Sequence, residues 1–201
     1  MLRPILTKSL IFIGVVGSLL MYTSCSETEE KKPVADGIEL DDDYYEFQTF
    51  DMADFGIDGY ISLPDETANI GASTKPEVMQ IESHLWQIDV GLNFTLHIED
   101  MANLTDIIKE EKKDLASKKF FKVKYLVDKP DMIIYERTLV VSGTDKASKT
   151  VGKEHKSYHV FGQRKVNGIM YALESQEEGY NKTIIELMAK SIRSFKGKKS
   201  S

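Results

Sequence analysis

Residues 155–176, HKSYHVFGQRKVNGIMYALESQ, decide the fold. Two segments with β-forming composition, 155–164 and 168–176, flank a turn at Val166, Asn167 and Gly168. The Asn-Gly pair favours the type I′ turn of a tight hairpin, and a connection this short joins only antiparallel strands. The stretch therefore predicts an antiparallel β-hairpin.

Similar β-segments recur upstream of this hairpin. We expect strands at 59–63, 78–88, 92–99, 119–128 and 132–141, with turns at 89–91 and 129–131. The third of these strands shows the clean apolar alternation of a half-buried strand, in Leu92, Phe94, Leu96 and Ile98.

Two segments carry apolar residues at helical spacing. Asn103, with Asp106 three residues later, is the expected N-cap of a helix to about Ser117, and Asn181 is that of a helix to about Phe195. The order β-β-β-α-β-β-β-β-α predicts an α+β fold. It comprises a mostly antiparallel sheet of about six to seven strands with two amphipathic helices packed on it.

Charge is distributed unevenly along the 201 residues, whose formal net charge is −6. Residues 33–74 hold eleven acidic residues and no lysine or arginine, whereas the rest of the chain beyond them is slightly basic. We expect an acidic flexible tether at 25–50, a single α+β domain at 51–197 and a frayed tail at 198–201. The mean hydropathy of −0.30 excludes a polytopic membrane protein, and the acidity argues against nucleic-acid binding.

The N-terminus has the three parts of an export signal. Arg3 and Lys8 precede an apolar run at 10–21, which ends at Tyr22-Thr23-Ser24-Cys25. Cys25 is the single cysteine of the chain. The segment resembles a bacterial lipoprotein signal of the Bacteroidota type, although Tyr22 stands where that family usually has an aliphatic residue. An ordinary cleaved signal or an uncleaved anchor is the alternative.

The lipoprotein resemblance implies that residues 1–24 are removed and that acyl chains on Cys25 hold the mature protein at a membrane. Ser26 and the acidic cluster after it are similar to lipoproteins directed to the outer membrane or the cell surface, although the cluster also suits a solvated linker. We therefore expect a cell-envelope protein on the periplasmic or outer face of the outer membrane.

A second resemblance covers residues 57–196. A strand that ends in Pro64, a central helix, an antiparallel run and a closing helix with the sequence SIRSF at 191–195 resemble the PsbP-like fold. That family includes the extrinsic photosystem II subunit and many uncharacterised bacterial proteins. Cystatin-like and other α+β sandwiches remain alternatives. The resemblance implies a binding or assembly factor rather than an enzyme.

Basic residues gather near two histidines between positions 146 and 165. Such a patch suits anionic lipid headgroups or an acidic protein partner, and a solubilising loop is the alternative. The acidic tether is itself a possible partner of the patch. The patch consists of Lys146, Lys149, Lys153, Lys156, Arg164 and Lys165.

Four further features carry weaker signals. Residues 143–150 differ from a phosphate-binding loop by Ser148 and precede a predicted strand rather than a helix. His155 and His159 share a strand face but lie about 13 Å apart, too far to share a metal ion. His84 and His97 are expected on paired strands, as a surface pair. Trp86 is expected in the core.

The mature chain shows no GxSxG or SxxK motif and no cysteine nucleophile. We therefore expect no catalysis, cofactor or metal, and a binding or assembly role with an envelope partner. A small hydrolase or metal-dependent enzyme is the alternative, which a deep polar pocket with converging histidines and carboxylates would favour. A carrier of a hydrophobic ligand would need an apolar cavity between sheet and helix.

Overall fold

The computed structural model describes residues 38, 40–71, 75–139 and 155–198. These residues form two α-helices and ten strands. In chain order they are β1 Phe47–Asp51, β2 Gly59–Pro64, β3 Glu77–Glu82, β4 Leu85–Asp89, β5 Thr95–Asp100, α1 Ile107–Ser117, β6 Phe121–Lys129, β7 Met132–Leu139, β8 Lys156–Val166, β9 Ile169–Ser175, α2 Lys182–Ser194 and β10 Lys196–Gly197.

The strands form two antiparallel sheets. The larger has seven strands in the order β3-β4-β5-β9-β8-β7-β6, and the smaller has three in the order β1-β2-β10. The predicted α+β class, with its mostly antiparallel sheet of six to seven strands and two helices, is therefore confirmed.

The predicted central hairpin is also confirmed. Asn167 and Gly168 both have positive φ, 49° and 93°, as a type I′ turn requires. Strands β8 and β9 pair without a bulge from this turn onward. The pairing begins with Val166 opposite Ile169 and extends to Phe161 opposite Glu174.

The main core lies on the sheet face that α2 covers. Asn181 caps α2 as predicted, since its side-chain oxygen accepts a 3.1 Å hydrogen bond from the amide of Ile184. The helix packs close to the sheet: a Cβ on Gly162 of β8 would lie 2.5 Å from Cγ2 of Ile192. Trp86 belongs to this core and is 6% exposed, as expected.

The opposite sheet face carries α1 and a smaller apolar cluster. Ile107, Ile108 and Leu115 of α1 pack there against Ile133 and other residues of β7, β8 and β9. Neither helix of the described part of the chain is long and apolar enough to span a bilayer.

The predicted start of α1 was wrong. The helix begins at Ile107 rather than after Asn103, and Leu104 is 56% exposed. Ala102 and Asp106 both have positive φ, which interrupts a helical path. Ala102 still pairs with β9 here, because its carbonyl accepts a 3.0 Å hydrogen bond from the amide of Met170.

The predicted strand at 78–88 was wrong as well. It divides into β3 and β4 at a turn over residues 83–84, and the following turn extends to Phe94. Phe94, Leu96 and Ile98 are fully buried as the alternation predicted, but Leu92 lies in the turn and is 93% exposed.

The domain begins earlier than residue 51. Phe47–Asp51, mostly assigned to the tether, pairs with β2 as strand β1, and Ile38 is buried in the main core. Lys190 pairs with Asp41 at 2.8 Å and Arg193 pairs with Asp42, so this part of the acidic segment lies on α2.

The C-terminal boundary of the domain also differs from the prediction. Lys198, which was assigned to a frayed tail, pairs with Asp51 of β1 at 2.9 Å.

Candidate functional site

Polar side chains occupy inward positions on the sheet face beside α1. The register places His97, Glu174, Phe161 and Ile133 in one row across β5, β9, β8 and β7. The next positions along β7 and β8 are also paired, and three of the four carry polar groups that can ionise: Tyr135 with His159, and Arg137 with Ser157. Strand pairing therefore brings together residues that are far apart in the sequence.

The polar residues His97, Glu174, Tyr135, His159 and Arg137 line a cavity of about 260 Å³, which we call the polar cavity. One wall comes from α1, and the others come from the four central strands. Its main polar lining residues are His97, Glu111, Tyr135, Arg137, His159 and Glu174.

Arg137 is the buried cation of this cavity, with 6% of its surface exposed. Nη1 donates to the carbonyl oxygen of Glu177 at 3.2 Å, and Nη2 donates to Tyr135 Oη at 3.5 Å. The guanidinium also lies over the Phe121 ring, 5.4 Å from its centroid. Both acceptors are neutral oxygens, and Nε has no hydrogen-bond partner among the described residues.

His159 is 1% exposed and makes a 2.8 Å hydrogen bond between Nε2 and Ser157 Oγ. Its ring stacks on Tyr135 with the centroids 5.2 Å apart. Burial, assisted by the Arg137 charge, lowers the pKa of His159 to about 3, so the imidazole is neutral at physiological pH. Burial likewise raises the pKa of Tyr135, which keeps its phenol protonated.

Glu174 is the group of the cavity that titrates near neutrality. Burial raises its pKa to about 7, and the nearby carboxylates of Glu111 and Glu99 act in the same direction. Burial also raises the pKa of Glu111. The pKa of His97 is lowered, mainly by burial.

A second cavity of about 410 Å³ lies under the N-terminal part of α1. It shares Glu111 and Glu174 with the polar cavity, so the two are adjacent. Its apolar lining residues are Met101, Leu104, Ile107, Phe161 and Ala172. We call it the apolar cavity.

A larger depression of about 580 Å³ lies between α1 and the β6–β7 turn. Lys112 and Asp128, which line it, already pair with each other at 2.7 Å. None of the polar side chains that line the polar cavity lines this depression. Although it is larger, it is therefore not the better candidate site.

The predicted basic patch is described only in part, because Lys146, Lys149 and Lys153 lie outside the described residues. Lys156 pairs with Glu136 at 3.2 Å, Arg164 pairs with Asp131, and Lys165 is exposed. Lys156 and Arg164 lie at opposite ends of β8, about 26 Å apart at the usual rise per residue. Cys25 and the loop at 143–150 also lie outside the described residues.

The predicted pairing of His84 with His97 was wrong. His84 lies in the β3–β4 turn, where Nε2 is 3.5 Å from a carboxylate oxygen of Glu99, and His97 is opposite Gln87. His155 precedes β8 and is exposed, whereas His159 is buried within it. No group of three or more metal-ligating side chains occurs within the described ranges.

Tyr135, Arg137 and Glu174 were not singled out from the sequence. One signal in the sequence could have found them. In a strand, residues two apart point to the same face, so a polar residue two positions from an apolar residue such as Ile133 or Phe161 is expected to point inward. Searches against family models, curated proteins and solved structures find no match for this chain.

Proposed function

We propose that this protein is a lipid-anchored cell-envelope protein with a non-catalytic binding role, and that the polar and apolar cavities together form its binding site. One observation carries the proposal: Arg137 lines a cavity while two neutral oxygens are its only hydrogen-bond acceptors among the described residues. A buried arginine is expected to be fully paired unless something else completes it.

The properties of His159 favour binding over acid–base catalysis. A general base works best with a pKa near the working pH, and the pKa of about 3 makes this imidazole a weak proton acceptor. The pKa of Tyr135 is raised, so its phenol stays protonated just as the His159 imidazole stays neutral. Both groups therefore keep one protonation state near neutral pH. Fixed donors and acceptors suit recognition.

An envelope hydrolase is the second candidate. The cavity does bring histidines and carboxylates together, and Ser157 Oγ is within 2.8 Å of His159 Nε2, the arrangement of a nucleophile and its base. A fluorophosphonate probe tests it. Labelling that Ser157→Ala abolishes would establish the hydrolase, and absence of labelling supports binding.

A carrier of a purely hydrophobic ligand fits less well. A cavity does lie between α1 and the sheet, but carboxylates, including Glu99, Glu111 and Glu174, line it beside the apolar residues. The PsbP-like resemblance, with its implied binding or assembly role, agrees with the proposal and is part of it.

The binding role is tested by thermal unfolding of the mature protein with a panel of small acids, amines, amides and sugars. A ligand should raise the melting temperature of the wild type and of Lys122→Gln, an exposed substitution on β6, but not of Arg137→Gln. If no class of compound acts in an Arg137-dependent way, the proposed binding site is wrong.

The anchor is tested separately. Cys25→Ala should prevent both lipidation and the globomycin-sensitive removal of residues 1–24, which changes the size and the membrane fractionation of the product. Unchanged fractionation and processing would refute the lipoprotein assignment.

A further inference from the structure

We propose that the polar cavity binds the carboxylate of a small amphiphilic acid, with Arg137 as its counter-charge and the ligand's apolar body in the apolar cavity. The inference rests on the proposed binding function and specifies its ligand class.

The cavity has a cation that needs a partner. Lys118 at its edge is already paired with Asp114 at 2.7 Å, whereas Arg137 has no carboxylate partner in the described part of the chain. A guanidinium has five N–H donors, of which two are used here, both over long distances. Nε is sealed from solvent, so the proposed ligand pairs with the two Nη atoms, whose hydrogen bonds are long.

The carboxyls that face the site do not prevent an anion from binding. Glu174 faces Glu111 of α1 and Lys118 just after it, Glu99 and His97 of β5, Tyr135 and Arg137 of β7, and His159 of β8. In its protonated form, which burial favours, Glu174 offers a hydrogen-bond donor to a ligand oxygen rather than a like charge. Arg137 and a protonated Glu174 together then suit one carboxylate.

The charges at the rim are already balanced. Glu110 pairs with Lys113 at 2.7 Å and Asp114 pairs with Lys118. A cationic ligand would therefore meet few unpaired carboxylates at the rim, and Arg137 would repel it inside.

The apolar cavity accounts for the rest of the ligand. Its 410 Å³ lies in the range of about 300–1,000 Å³ that is usual for small-molecule sites. The Phe161 ring and Ile107 provide apolar contact area, and the walls shared at Glu111 and Glu174 connect it to Arg137. An acid with a compact apolar body can occupy both cavities at once.

The experiment is isothermal titration of the full mature protein in nanodiscs, with empty nanodiscs subtracted. The probes are 3-phenylpropanoate, its neutral amide, the amine 3-phenylpropylamine and inorganic phosphate. At about pH 6 the acid should bind at least about tenfold more tightly than each of the other three, the factor expected for one charge-assisted hydrogen-bond pair.

Affinity for the acid should fall about tenfold from about pH 6 to about pH 8, because the protonated fraction of a carboxyl with a pKa of about 7 falls by that factor. Glu174→Gln keeps a donor and should remove this pH dependence. Arg137→Gln should remove the preference for acid over amide, and Lys122→Gln should keep it. Glu174→Gln supplies the test if Arg137→Gln does not fold.

Three results would overturn the inference: tighter binding of the amine, affinity that rises with pH, or phosphate binding as tightly as the aromatic acid. Failure of all four probes would also overturn it. The proposed binding role would survive that failure if another class of compound in the thermal panel acts through Arg137.

Discussion

The opposite titrations of His159 and Glu174 give a prediction about stability. The pKa of His159 falls from its ordinary value of 6.5 to about 3 on folding, so the unfolded chain takes up this proton first as the pH drops. Between about pH 7 and pH 5 this lowers the free energy of unfolding by about 2 kcal/mol. The loss continues toward pH 3, and above pH 6.5 the contribution disappears.

Glu174 acts in the other direction. Its pKa rises from 4.5 to about 7, so the folded state binds the proton first and gains stability as the pH falls through this window. The gain between about pH 7 and pH 5 is also about 2 kcal/mol. The two contributions nearly cancel in the wild type. A variant without His159 should therefore show the pH dependence due to Glu174, and a variant without Glu174 should show that due to His159.

Urea unfolding of the full chain, followed by the fluorescence of the single, buried Trp86, measures both. His159→Gln should become more stable from pH 7 to pH 5, and Glu174→Gln less stable. With a slope of about 2 kcal/mol per molar urea, each midpoint should move by about 1 M. The pH slope is the readout, because it does not depend on any constant loss from altered packing.

Lys122→Gln provides the control, because Lys122 is exposed on β6 and does not line the polar cavity. Its pH slope should match that of the wild type. If His159→Gln also keeps the wild-type slope between pH 7 and pH 5, then His159 is not held neutral by burial and the assignment of the cavity's protonation states fails.

Three further predictions concern the frame of the site. Gly162→Ala should cost about 1–3 kcal/mol, because its Cβ would meet Ile192 at 2.5 Å; chemical denaturation measures this loss. Asn181→Ala should cost about 1 kcal/mol by removing the cap of α2, which calorimetry can follow. Asp41→Asn with Asp42→Asn should speed chymotrypsin cleavage at the acidic segment a few-fold, and high salt should do the same to the wild type.

Matched variants test these three predictions. Adding Ile192→Leu, which removes the Cγ2 branch, to Gly162→Ala should restore part of the stability, and no recovery would argue against the close contact. Asn181→Asp should keep the helix cap, whereas a loss as large as that of alanine would contradict capping. Asp43→Asn should leave cleavage unchanged, since Asp43 accepts a hydrogen bond from the Tyr45 amide rather than from α2. Cleavage that ignores both salt and the paired substitutions would refute the electrostatic contact.

Much of the sheet could be predicted because turn residues determine strand pairing locally. Once Asn167-Gly168 is taken as a two-residue turn, counting outward pairs Phe161 with Glu174 from the sequence alone. The helix of residues 182–194 was equally accessible, because its cap and its apolar stripe agree.

The rest of the site could not be counted in this way. The pairing of Tyr135 with His159 joins strands β7 and β8, and the sixteen residues between Leu139 and Lys156 are too many for the register to be counted outward from a two-residue turn. On the other side of β7, a bulge between Tyr125 and Val127 shifts the register with β6. The start of α1 depends on the positive φ of Ala102 and Asp106, which the capping pattern at Asn103 did not reveal.

The arrangement of charges distinguishes this cluster from a polar network that only supports the fold. Buried opposite charges lower each other's desolvation cost, so a structural network would be expected to join Arg137 to Glu174. Both line the polar cavity, yet they form no ion pair in the described part of the chain, and Glu174 remains shifted toward its neutral form. If the two residues only supported the fold, apolar residues in their place would avoid the cost of removing charges from water. The separation of an arginine and a protonatable carboxyl across an accessible space is therefore better explained by a third group, an anion, that joins them when it binds.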